Sequence, residues 1–144
     1  MIMRNDSVGR FFVAIELANN ADLVRAEAGD LPANKVRRDT IQGLVDSGAT
    51  RLVLPQAVAD RLGLRATSTI KVQYAVGRTA ERPLVSQIVL RLNGRESVFN
   101  AVIEPDRDTA LVGAIVLEDL DLVVDCTQQR LVPRDPKQII SEIE

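Results

Sequence analysis

With 144 residues, 46% of them apolar, the chain has the length and hydrophobic content of one domain with its own core. A formal net charge of −2, with 18 Lys and Arg interspersed among 20 Asp and Glu, gives no footprint for a polyanion, so no nucleic acid is expected as a partner. The chain has no histidine and a single cysteine, Cys126; this removes histidine-activated nucleophiles, histidine- or cysteine-built metal sites and any intrachain disulfide. Chemistry is left to carboxylates, hydroxyls and lysine.

The first six residues carry no apolar stretch of signal-peptide length, and the run 11–15 is closed by Glu16, so no membrane segment is expected and a cytoplasmic, reducing setting fits best. In chain order, strand patterns run over 11–17 and 36–45, with a helix at 20–28 between them, capped by Asn20 or Asp22. A two-turn helix follows from Pro55 at its first turn to Gly63 at its end. Strands are read over 67–76, 84–92 and 97–103. Asn93-Gly94 joins the last two as a type I′ turn, whose central residues both need positive φ. A short helix over 114–120 after Gly113, strands at 122–125 and 130–133, and a weakly amphipathic stretch after Pro136 complete the reading. Cys126 falls in the turn of that last hairpin and reads as incidental. The acidic run at Glu118, Asp119 and Asp121 reads as a solvated helix end, so no metal and no cofactor is expected. The expected fold is mostly β, compact, with one or two short helices.

Leu44-Val45-Asp46-Ser47-Gly48-Ala49-Thr50 sets one carboxylate on a Ser-Gly turn between two apolar segments, where a strand enters the core and reverses. A carboxylate so placed must be satisfied or useful. About 65 positions later, Ala110-Leu111-Val112-Gly113-Ala114 places two apolar residues and a glycine ahead of a helix.

Together these two segments resemble the signatures of the retropepsin-like aspartic proteases, over residues 8–134 and in the small single-domain bacterial form. The resemblance implies a closed acid-protease β-barrel, one domain over 1–144 with a tail at 135–144. It also implies that the Val112-Gly113 strand threads beside the Asp46 turn. Asp46 is then catalytic, and Ser47 and Gly48 support its loop, with Ser47 bonding across a two-fold axis. Ala49, Val76 and Gly77 would meet substrate. The chemistry needs two aspartates that share a water and a proton. Like charges about 3 Å apart at an effective dielectric near 20 repel by about 5 kcal/mol, so both cannot be ionised together. This chain has one Asp-Ser-Gly, and Asp108-Thr109-Ala110 lacks the glycine, so the resemblance implies a homodimer acting on a peptide or protein substrate.

A flap is expected over 71–79. Val76 disfavours positive φ, so a type II turn with Gly77 third, or a longer loop, is expected in place of a two-residue turn. Thr50 and Ala114 replace the Asp and Arg that pair in viral members. This keeps a second reading open: a peptide-binding or scaffold domain with the same fold and no hydrolysis.

Overall fold

The computed structural model describes residues 10–144; the N-terminal residues bearing on the signal-peptide reading, and the first two of the 8–134 span, lie outside them. Alternating apolar residues build β1 (Arg10–Asn19), whose Ile15 and Leu17 face the core while Phe12 faces out. After α1 (Asn20–Glu27) and a 3₁₀ turn (Ala33–Lys35), β2 (Arg38–Asp46) returns antiparallel to β1, pairing Arg10 with Asp46 and Ala18 with Arg38. Then come β3 (Leu52–Pro55), α2 (Gln56–Leu62), β4 (Ala66–Gln73), β5 (Thr79–Leu92), β6 (Arg95–Glu104), β7 (Ala110–Val112), α3 (Ala114–Asp119), β8 (Leu122–Asp125) and β9 (Arg130–Pro133).

Six strands close on themselves in the order β1-β2-β7-β3-β6-β5, with β5 pairing back to β1. β2–β7 and β3–β6 are parallel and the other ladders antiparallel. This is a mostly β closed barrel, filled by side chains such as Ile15, Val45, Leu54, Ile88, Leu90 and Val112. β8 and β9 form a separate two-stranded sheet joined to that core through Leu122 and Leu131.

β5 is bent by an irregularity between Val85 and Ile88, where Gln87 takes φ 63°. Its later half lies in the barrel wall. Its first residues, Thr79 to Pro83, pair only with β4, so this part of the β4–β5 hairpin lies outside the barrel wall. The strand begins at Thr79, five residues earlier than the sequence pattern suggests. Pro83 is tolerated there because it has a neighbouring strand on one side only. β2 starts at Arg38, later than the expected 36, because the Arg37 backbone N–H donates to the Asp22 carboxylate.

All three candidate helices form. Asn19, not Asn20 or Asp22, caps α1: its Oδ1 accepts from the Asp22 N–H at 3.0 Å while its Nδ2 donates to the Leu62 carbonyl at 2.8 Å. Pro55 is the residue before α2, with extended ψ, and Gly63 ends it as expected. Asn93 (φ 57°) and Gly94 (φ 79°) make the type I′ turn between β5 and β6. The stretch after Pro136 is not helical. Arg134 donates to Asp121 and to the Ile140 carbonyl, and the Ile140 N–H donates to Asp121, which straps the segment down as irregular chain.

Candidate active site

Asp46 ends β2, and the next three residues fold back on it. Its carbonyl accepts from the Ala49 N–H at 3.1 Å and its Oδ1 from the Gly48 N–H at 3.0 Å, an Asx turn of the kind Asp-Ser-Gly favours. A Cβ on residue 48 would stand 3.2 Å from that Oδ1, so glycine leaves the carboxylate its room. The other oxygen, Oδ2, faces Arg10, whose Nε lies 3.6 Å away across the β1–β2 register. The Asp46 side chain is 24% exposed. Ser47 is exposed and has no hydrogen-bond partner among the described residues.

The turn is braced from below by the second signature. Val112 lies beside Val45 in the parallel β2–β7 ladder, and Gly113 then passes against the backbone of residues 49–51. A Cβ on Gly113 would meet the Arg51 carbonyl oxygen at 2.5 Å, and the Ala49 carbonyl oxygen and Arg51 nitrogen at 2.8 Å. The chain can therefore thread here only without a side chain. The first N–H groups of α3, which have no partner within the helix, donate to the turn: Ala114 N–H to the Ala49 carbonyl at 2.8 Å and Ile115 N–H to the Thr50 carbonyl at 2.9 Å. Thr50 and Ala114 are thus joined to this brace through backbone atoms, with no need of a charged pair.

Val76 and Gly77 sit at the tip of the β4–β5 hairpin. β4 ends at Gln73, short of the expected 76. The Gly77 N–H donates to the Tyr74 carbonyl and the Tyr74 N–H to the Arg78 carbonyl, both at 2.8 Å. Gly77, at φ 89°, is the fourth residue of the turn, not the third, and Val76 keeps negative φ. The three-residue loop with a left-handed glycine last meets valine's steric limit by handing the positive φ to its neighbour. Val76 is 87% exposed, and no hydrogen bond or ion pair joins this tip to the Asp46 turn among the described residues.

Sequence reasoning found the turn, its glycine partner and the hairpin, and the structure brings the first two together. It missed Arg10, whose nearness to Asp46 follows only from the β1–β2 register. It also missed Glu104, which binds Tyr74 and Arg82 of the hairpin. A groove lined by Arg51, Leu52, Phe99, Ile115 and Asp119 opens between β3, β6 and α3 and does not include Asp46. No group of three or more metal-binding side chains is found among the described residues, and none of their helices is long and apolar enough to cross a membrane.

A part-exposed carboxylate on an Asx turn, braced by a glycine strand inside a closed barrel, defines a retropepsin-like aspartic protease architecture. The chain belongs to the family described as gag-polyprotein putative aspartyl protease, whose model matches residues 34–119 and so spans the turn, the hairpin and the brace. Among solved structures it is similar to the solution structure of simian foamy virus (mac) protease, with 19% identity and a TM-score of 0.43 over 54% of this chain and 80% of that one. No curated protein matches it.

Proposed function

We propose that the chain is an aspartic endopeptidase that works as a homodimer, each single-domain protomer giving Asp46 to a dyad on the two-fold axis. The braced turn carries this reading: it holds one part-exposed carboxylate with Gly48 behind it, and the exposed Ser47 hydroxyl has no hydrogen-bond partner among the described residues. One carboxylate would take a proton from a shared water as it attacks the peptide carbonyl. The other, protonated, would stabilise the oxyanion. Ala49 would border the bound peptide, and Val76 and Gly77 would close over it as a flap, with the substrate laid between as a strand.

The Arg10–Asp46 contact favours a second reading, a peptide-binding domain of the same fold in which the carboxylate serves structure. Digestion of a peptide library between about pH 4 and 7, at several protein concentrations and with Asp46→Asn alongside, decides between them. Cleavage that rises with concentration and is abolished by the substitution supports the protease. A folded chain that binds peptides and cleaves none supports the second reading.

A further inference from the structure

The β4–β5 hairpin is gripped close to its tip by one carboxylate of the barrel, through Tyr74 at the start of the turn and Arg82 farther along the returning strand. Alternation along the two strands puts Ile70, Val72 and Tyr74 with Arg78, Ala80 and Arg82 on one face of the hairpin, and Lys71, Gln73, Thr79 and Glu81 on the other. Ile70, Val72, Tyr74, Ala80 and Arg82 are partly buried, whereas the four residues of the opposite face are exposed; the first face is therefore turned to the barrel. Glu104, the last residue of β6, receives both strands. Tyr74 Oη donates to Oε2 at 2.6 Å, and Arg82 Nε donates to Oε1. The Arg78 guanidinium lies over the Tyr74 ring, 4.6 Å from its centre. The Glu104 and Arg82 side chains are only 17% and 25% exposed, so this is a partly desolvated, charge-assisted contact and not a loose surface pair.

We propose that Glu104 is a positioning residue: by holding Tyr74 from one strand and Arg82 from the other, it fixes the height and tilt of the flap close to its tip, with only the loop residues 75–77 beyond the latch. This rests on the protease reading for its consequence in catalysis, but the latch itself does not. Beyond Tyr74 the loop is held only by its own turn hydrogen bonds among the described residues: Val76 is 87% exposed, and a Cβ on Gly77 would meet nothing within 4 Å. Burial pushes the Glu104 carboxyl up, but the hydrogen bonds from Tyr74 and Arg82 outweigh it, leaving the group below its ordinary range and ionised at neutral pH. Tyr74, as donor to that carboxylate, is held above its own ordinary value. Glu104 also ends the strand that leads through residues 105–109 into β7 and the Gly113 brace. The outer end of the hairpin is thereby tied to the same segment that supports the Asp46 turn.

Hydrogen–deuterium exchange on the full chain tests the latch without requiring any activity. Tyr74→Phe keeps the ring under Arg78 and removes only the hydroxyl; Glu104→Gln weakens both contacts. Each is expected to speed exchange in peptides covering 70–82 by about threefold or more, with peptides from 88–92 and 98–103 unchanged. For any peptide the parent chain cleaves, Tyr74→Phe is expected to raise KM about threefold or more with kcat within about twofold. If Glu104→Gln does not fold, Tyr74→Phe alone decides. Unchanged exchange at 70–82 overturns the latch whatever the activity. Faster exchange in a chain that cleaves no peptide upholds the latch and removes only the protease reading.

Discussion

Gly113 and Gly77 are both glycines for different reasons, and the difference is measurable. At Gly113 the backbone torsion is ordinary and the obstacle is space, since a Cβ would stand 2.5 Å from the Arg51 carbonyl oxygen. Gly113→Ala must push the Asp46 turn away from α3. It is expected to cost about 3 kcal/mol in chemical denaturation, at the upper end of overpacking penalties because backbone atoms do not yield as side chains do. At Gly77 space is open and the obstacle is φ 89°. Gly77→Ala is expected to cost about 1 kcal/mol, confined to the hairpin tip, and to appear as faster exchange of the flap amides with the global denaturation midpoint nearly unchanged. Asp22 supplies a third residue-scale expectation. Its carboxylate is buried and accepts three hydrogen bonds from Arg37, from the backbone N–H, Nε and Nη2, at 2.9 to 3.0 Å. The Arg37 side-chain bonds lower its pKa against the opposing effect of burial, from 3.8 to about 2. A lowered folded-state pKa contributes stability that is complete above the unfolded value and is lost as pH falls through the folded one. Asp22→Asn is therefore expected to be less stable than the parent by about 2 kcal/mol at neutral pH, with the gap closing between pH 3.8 and about 2; a gap constant over that window would contradict the assignment.

At the scale of elements, the parts legible in the sequence are those whose signal is local. Asn93-Gly94 announces its turn because two consecutive positive φ angles leave few other choices. Gly63 marks the end of α2, and the apolar pair before Gly113 marks a buried strand. Elements defined by distant partners were harder to read. β5 continues through Pro83 only because one of its sides is unpaired there, and no local pattern says which strand will be missing. Asn19 caps α1 while also bonding the Leu62 carbonyl 43 residues away, so its choice over Asn20 is partly tertiary. The candidate site divides in the same way. Asp46, Ser47 and Gly48 are read from three consecutive letters, but Arg10 beside Asp46 and Glu104 against the β4–β5 hairpin follow from strand register and barrel closure. The hairpin tip shows a local rule giving the constraint and the surroundings giving its solution: valine's avoidance of positive φ excluded the two-residue turn, and the three-residue loop that formed puts the strain on Gly77.

For the whole molecule, barrel closure has a consequence for function. The ring β1-β2-β7-β3-β6-β5 leaves no open edge within the barrel wall, while the Asp46 turn, the exposed Ser47 and the tip of the β4–β5 hairpin lie outside it, attached to β2 and β5. The sequence carries one Asp-Ser-Gly, so on the protease reading proposed above the second Asp of the dyad would come from another copy. Assembly and activity should then rise together with protein concentration. The central claim is that two protomers build one site, and mixing tests it most directly. Parent chain and Asp46→Asn are combined at fixed total concentration, allowed to exchange subunits, and assayed on a cleaved peptide. A shared dyad predicts that activity falls as the square of the parent fraction, to about a quarter at an equal mixture. A linear fall, to about half, would mean that each chain cleaves alone and would contradict the account.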